Sequence, residues 1–220
     1  MAERKFAFAP DEFYHLYNRG NSKQVIFRDV YDYRHFIQLL YIANDVGPIK
    51  LRDVSVNNTF EYVRDEQLVA IGSYCLMPNH FHILIKQIED NGISKFMQKV
   101  ATGYSMYFNS RYERTGGLFE GRFKARHADS DEYLKYLFSY IHLNPVKLID
   151  TTWKEEGIKN PSEAYSYAVG YQHSSLSDYV GTKRPENAIL NPGLFPEYFV
   201  SHNSIKEELF DWLDYNEYTQ

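Results

Sequence analysis

Apolar and polar positions follow two periods in turn along this chain, and the periods predict its elements. Glu12 to Gly20 (Glu-Phe-Tyr-His-Leu-Tyr-Asn-Arg-Gly) has strand composition and stops at a Gly-Asn turn signal. From Asp29 to Asn44, Tyr33, Phe36, Ile37, Leu40 and Tyr41 recur at three- and four-residue spacing, which predicts an amphipathic helix. Gly47 to Gln67 is polar and mixed and reads as an inserted loop or hairpin. Leu68 to Met77 returns to strand composition, and Pro78-Asn79 suits a tight connection before an apolar strand that opens at His80. Gly92 to Tyr112 is helical in period, with Ile93, Phe96, Met97, Val100, Tyr104 and Tyr107 in register and Gly116-Gly117 as its stop. Leu118 to His127 reads as a strand with Arg122, Lys124 and Arg126 on one face and Phe123 and Ala125 on the other. Asp129 and Glu132 are spaced like a variant capping box, ahead of a helix that ends near Asn144 because Pro145 follows. Beyond Asp150 the chain becomes turn-rich, with a short helix expected over Ile205 to Tyr215.

Composition narrows the class. With 220 residues, 44% hydrophobic and 24% charged, the chain fits one large domain or one domain with an appended tail. No apolar stretch approaches the ~20 residues of a membrane span. The first residues, Met1 to Phe6, lack the long apolar run of a signal peptide, so a cytoplasmic protein without membrane partners is expected. The lone cysteine, Cys75, excludes an intrachain disulfide framework and is expected to pack in the interior. Charge is segregated beneath a net of −5: Lys95 to His127 holds seven basic against two acidic residues, whereas Glu186 to Gln220 holds seven acidic against one lysine. A basic central surface and an acidic tail follow. The 20 tyrosines serve packing, base stacking or both.

Candidate chemistry sits at two places. His80 and His82, two residues apart in a strand, share one face, while Phe81, Ile83 and Ile85 turn the other way. Paired imidazoles suit a divalent metal, for which imidazole is the commonest nitrogen ligand; two half-exposed strand histidines without a ligand are an equal alternative on this motif alone. On the helix ending near Asn144, Leu134, Leu137, Phe138 and Ile141 make the apolar face, and Tyr136, Tyr140, Asn144 and Lys147 a separate stripe. Tyr140 and Asn144 lie one turn apart, so an amide oxygen and a phenol can serve one site. By itself the stripe is equally an ordinary surface tyrosine and a helix-ending asparagine. The three cations on the basic strand face are either a solvated surface or a ridge that contacts phosphates.

Together, Tyr14-His15-Leu16-Tyr17-Asn18-Arg19-Gly20, the run Tyr74 to Ile85, Gly121-Arg122-Phe123-Lys124 and Tyr140-Ile141-His142-Leu143-Asn144-Pro145-Val146-Lys147 resemble the single-tyrosine HUH transposases, above all their REP-associated tyrosine transposase branch. The resemblance covers about residues 12 to 150, with the motifs in the same order and at similar spacing. It implies an α/β (α+β) fold, a ferredoxin-like domain with a central antiparallel sheet flanked by helices. It also implies a metal-dependent transposase that cuts single-stranded DNA beside hairpins and keeps the 5′ phosphate as a phosphotyrosine. By matching positions, Tyr140 would be the nucleophile, and His80, His82 and Asn144 the ligands of Mg²⁺ or Mn²⁺. Arg19, Arg122, Lys124, Arg126 and Lys147 would contact the DNA. The domain would span residues 1–150 with an insertion at about 47–67, followed by a C-terminal extension over 151–220. Single-stranded or hairpin DNA is the expected partner, and a homodimer is possible. The alternative is a former transposase that only binds structured DNA. A replication initiator or conjugative nickase shares the chemistry, but its added helicase-type domain is missing from this short chain.

Overall fold

In the computed structural model, residues 7–49, 58–153, 157–198 and 202–214 are described, so part of the expected insertion, residues 50–57, lies outside the described residues. Four strands form one antiparallel sheet: β1 (Phe13–Arg19), β2 (Val69–Met77), β3 (His80–Gln87) and β4 (Lys124–His127), in the order β2-β3-β1-β4. Helix α1 (Val30–Ile42) links β1 to β2, and α2 (Gly92–Arg111) links β3 to β4. This is the ferredoxin-like order of strands and helices that the sequence resemblance implies. Asp29 caps α1 by accepting from the backbone N–H groups of Tyr31 and Asp32, as its place before the apolar period requires.

Strand alternation sorts the two faces of the sheet. Tyr14 and Leu16 of β1, Ile71, Tyr74 and Leu76 of β2, and Phe81, Ile83 and Ile85 of β3 join the buried faces of α1 and α2 in the main core. The opposite face carries Ala70, Cys75, Met77 and Leu84, and receives Leu134, Leu137, Phe138 and Ile141 of α3 (Asp131–Leu143). Apolar residues on both faces are expected of a sheet covered on both sides. α3 therefore lies across the same face that exposes the polar positions of β1 and β3.

Two expectations are corrected locally. The strand expected over Leu118 to His127 is split: Phe119 makes an isolated antiparallel bridge to Gly20, and continuous pairing with β1 starts at Lys124, because Gly121 adopts φ +69°, a left-handed conformation that interrupts the extended run. Arg122 thus precedes the strand. The cap of α3 is Ser130 rather than Asp129; its hydroxyl accepts from the Tyr133 N–H at 3.2 Å.

The C-terminal residues form α4 (Pro161–Gly170), α5 (Leu176–Tyr179) and α6 (His202–Asp214). Ala164, Ala168, Ile205, Leu209 and Leu213 close a third cluster with Leu143 and Val146 just beyond α3. Between α4 and α5 the chain runs along the outer edge of β2: Leu76 N–H donates to His173 O at 2.9 Å, and Ser175 N–H to Tyr74 O at 3.0 Å. An edge satisfied in this way cannot pair with another chain.

Candidate active site

The Pro78-Asn79 turn between β2 and β3 sets the first two residues of the site. In the β1–β3 register, His80 stands opposite Arg19 and His82 opposite Tyr17. Period two then puts His15, Tyr17, His80 and His82 on the face covered by α3. The His80 and His82 rings are 5.0 Å apart and nearly perpendicular. Tyr140, in the last turn of α3, brings its ring to 5.5 Å from that of His82, again edge-on. Asn144 begins the 3-10 turn after α3, is fully buried, and donates from Nδ2 to Tyr140 O at 3.3 Å. Its side chain also hydrogen-bonds the His80 ring. Four residues separated by up to 64 positions in sequence therefore meet within one chain.

Each histidine is held at its Nδ1. Asn79 Oδ1 lies 2.6 Å from Nδ1 of His80, and His15 Nε2 lies 2.8 Å from Nδ1 of His82. Burial pushes His80 down to about 4, with the positive charges of Lys147 and Arg19 adding to the effect and the Asn144 hydrogen bond opposing it. Burial, followed by the charge on Arg126, likewise pushes His15 down to about 4. Both rings are neutral at pH 7, the state in which imidazole offers a lone pair to a metal. Among the described residues no three His, Cys, Asp or Glu side chains group as a metal site. The amide of Asn144, which hydrogen-bonds the His80 ring, lies beside the two imidazoles. With Nδ1 of each histidine engaged, a metal would be approached through Nε2. The donor set fits a divalent ion that accepts nitrogen and oxygen ligands.

Two hollows flank Tyr140. The first, of about 380 Å³, includes the charged and amide side chains of Asn18, Arg19, Asn79, Glu120 and Lys124 in its lining, with His80. The second, of about 280 Å³, includes Arg126, Tyr133, Tyr136 and Leu137, and both share Tyr17, His82 and Tyr140. Of the cations expected from the sequence, Lys124 and Arg19 thus line the first hollow and Arg126 the second. Arg19 is also ion-paired with Glu120. Lys147 is close enough to His80 to act on its charge, and Arg122, exposed ahead of β4, lines neither hollow. His15, Tyr17, Asn79 and Tyr133 were not singled out by sequence reasoning. The signal for two of them was present, since His15 and Tyr17 alternate in β1 as His80 and His82 do in β3.

The family model described as "Transposase IS200 like" matches residues 21–144, more than half of the chain. The match contains His80, His82, Tyr140 and Asn144 and begins after His15. A solved structure described as "Structure of the REP associates tyrosine transposase bound to a REP hairpin" is similar over 89% of each chain, with a TM-score of 0.52 and 16% identity. At that identity the likeness is one of fold. No curated protein matches the chain.

Proposed function

This chain belongs to the IS200-like transposase family, and on that premise we propose that it cuts and rejoins single-stranded DNA beside a hairpin, with Tyr140 as nucleophile. The carrying observation is the approach of the Tyr140 and His82 rings to 5.5 Å, with Asn144 bonded to His80, all in one chain. His80, His82 and Asn144 would hold Mg²⁺ or Mn²⁺; imidazole favours Mn²⁺, and the amide oxygen suits either. The bound ion would supply charge neutralisation and polarisation of the scissile phosphate.

The chain's own residues supply the rest. Asn79 and His15 orient the two imidazoles through their Nδ1 atoms. Tyr140 Oη attacks phosphorus, the P–O3′ bond breaks, and the phenolic proton is balanced by the proton taken up at the departing 3′-hydroxyl. The 5′ phosphate stays on Tyr140. Attack by the 3′-hydroxyl of a second strand forms a new P–O3′ bond and releases the phenol, so one ester replaces another and no ATP is consumed. Lys124 and Arg126 would hold the DNA backbone from within the two hollows, with Arg19, Arg122 and Lys147 as outer contacts. The hairpin held by the similar solved structure supports hairpin-bearing single strands as the substrate class.

The test is incubation of the full chain with end-labelled, hairpin-bearing single strands and Mn²⁺, resolved on a denaturing gel. A covalent 5′ adduct is expected from the wild type and none from Tyr140→Phe. No adduct from any strand of a varied panel, or an undiminished one from Tyr140→Phe, overturns the reading. Hairpin binding that survives both Tyr140→Phe and His80→Ala, without an adduct, would assign the chain to structured-DNA binding alone.

A further inference from the structure

Of the two hollows beside Tyr140, the chemistry above asks of the second only that Arg126 hold the DNA backbone. The second differs in kind. Its wall is aromatic: the Tyr133 and Tyr136 rings lie 5.9 Å apart and 18° from parallel, and Tyr136 continues to Tyr140 at 5.7 Å. The guanidinium of Arg126 sits 5.4 Å over the Tyr133 ring. Half-buried π surfaces beside a cation are what an unstacked base with its phosphate requires. On this basis, and resting on the strand-cutting role proposed above, we infer that the second hollow takes the base of one unpaired nucleotide directly adjoining the scissile phosphate.

Position and size support this occupant. Tyr17, His82 and Tyr140 wall both hollows, so a strand with its phosphate at Tyr140 Oη must carry one neighbouring nucleotide past the second. Lys124 lines the first hollow and Arg126 the second, two residues apart on the exposed face of β4. That is a step of about 6.6 Å along the strand, comparable to the step between successive phosphates of an extended nucleic-acid strand. At about 280 Å³ the hollow falls just below the usual range for drug-sized ligands, which suits one base and not a base pair. Arg126 would then neutralise the phosphate of the captured nucleotide while its base lies against Tyr133 and Tyr136.

The experiment uses full-length Tyr140→Phe protein and hairpin-bearing single strands in which 2-aminopurine is walked through the unpaired positions. The cut position is read from wild-type cleavage products. Fluorescence is expected to be quenched on binding at one position adjoining the cut. Adding Tyr133→Leu or Tyr136→Leu should remove the quenching and weaken binding roughly 5- to 150-fold, whereas Tyr133→Phe and Tyr136→Phe should keep both. Since leucine at these sites can perturb packing, the DNA is varied too. An abasic residue at the same position should weaken binding to the unaltered Tyr140→Phe chain by a similar factor. Equal affinity for abasic and intact strands, quenching spread evenly over positions, or quenching that survives both leucine changes overturns the inference. An adduct from the wild type without position-specific quenching rejects the base site alone. Failure of the wild type to form any adduct rejects strand cutting independently.

Discussion

His15 joins packing to chemistry at the scale of one residue. It is only 5% exposed, and its Nε2 lies 2.8 Å from Nδ1 of His82, 67 residues away. For His82 to offer an Nε2 lone pair to a metal, its Nδ1 must carry the proton and donate, so His15 must accept through Nε2. His15→Ala is therefore expected to weaken Mn²⁺ binding about 10- to 100-fold, measured by electron paramagnetic resonance titration without DNA. His15→Asn, which keeps a side-chain acceptor, should recover part of the loss. Unchanged Mn²⁺ affinity in His15→Ala would reduce His15 to a packing residue. The pairs His80–His82 and Tyr140–Asn144 were each legible in the sequence from a local period, two for a strand and four for a helix, and only the family resemblance implied that the two pairs serve one site. The His15–His82 and Asn79–His80 contacts were not legible, because they depend on strand register and on a turn conformation.

Elements show where local pattern is overridden. α1, β2 and β3 follow their hydrophobic periods closely, since long apolar stripes leave few alternative ways to bury. β4 is shorter than its alternation suggests because the backbone at Gly121 is not extended. α4 was missed because its buried stripe is only Ala164 and Ala168, a weak hydrophobic signal. α3 matters most, as it carries Tyr140, and its second face is tied to the sheet edge. Buried His142 lies 2.8 Å from Ser175 Oγ through Nε2, and Ser175 Oγ accepts from Tyr74 N–H at 2.9 Å. Complete burial pushes His142 down to about 3. Its folded-state value lies below the unfolded value of about 6.5, so the unfolded chain takes up the proton first. The contribution of neutral His142 is thus fully present above about pH 6.5 and is lost as pH falls toward 3. Urea unfolding should show the wild type losing stability faster than His142→Leu over that window, by up to about 1.4 kcal/mol per pH unit. Parallel pH profiles for the two chains would exclude this account.

For the whole molecule, the question is whether one copy suffices. Helix α3 lays its tyrosine against the histidines of its own sheet, and it is braced by α6, where Lys135 pairs with Glu208 at 2.6 Å and Tyr136 meets Trp212 edge-on at 4.9 Å. At least part of the acidic C-terminal segment is thus a packed helix behind the site. A mixture of His82→Ala and Tyr140→Phe chains is expected to give no adduct, since neither copy holds both parts. Adduct on the His82→Ala chain in that mixture would mean that copies exchange α3 and act as a dimer.

The sequence by itself determined the order of strands and helices as far as α3, the paired histidines, the tyrosine one turn before its asparagine and the basic stretch that becomes β4. Each is a local regularity, written in the period of side chains along one element. Only the tertiary structure decided that these elements share one face, that His15 backs His82, and that Tyr140 stands between a hollow lined by charged side chains and an aromatic one. Those facts depend on register between β1 and β3, and on the position of α3 across the sheet. Both are set by burial over the whole core, so no single segment encodes them.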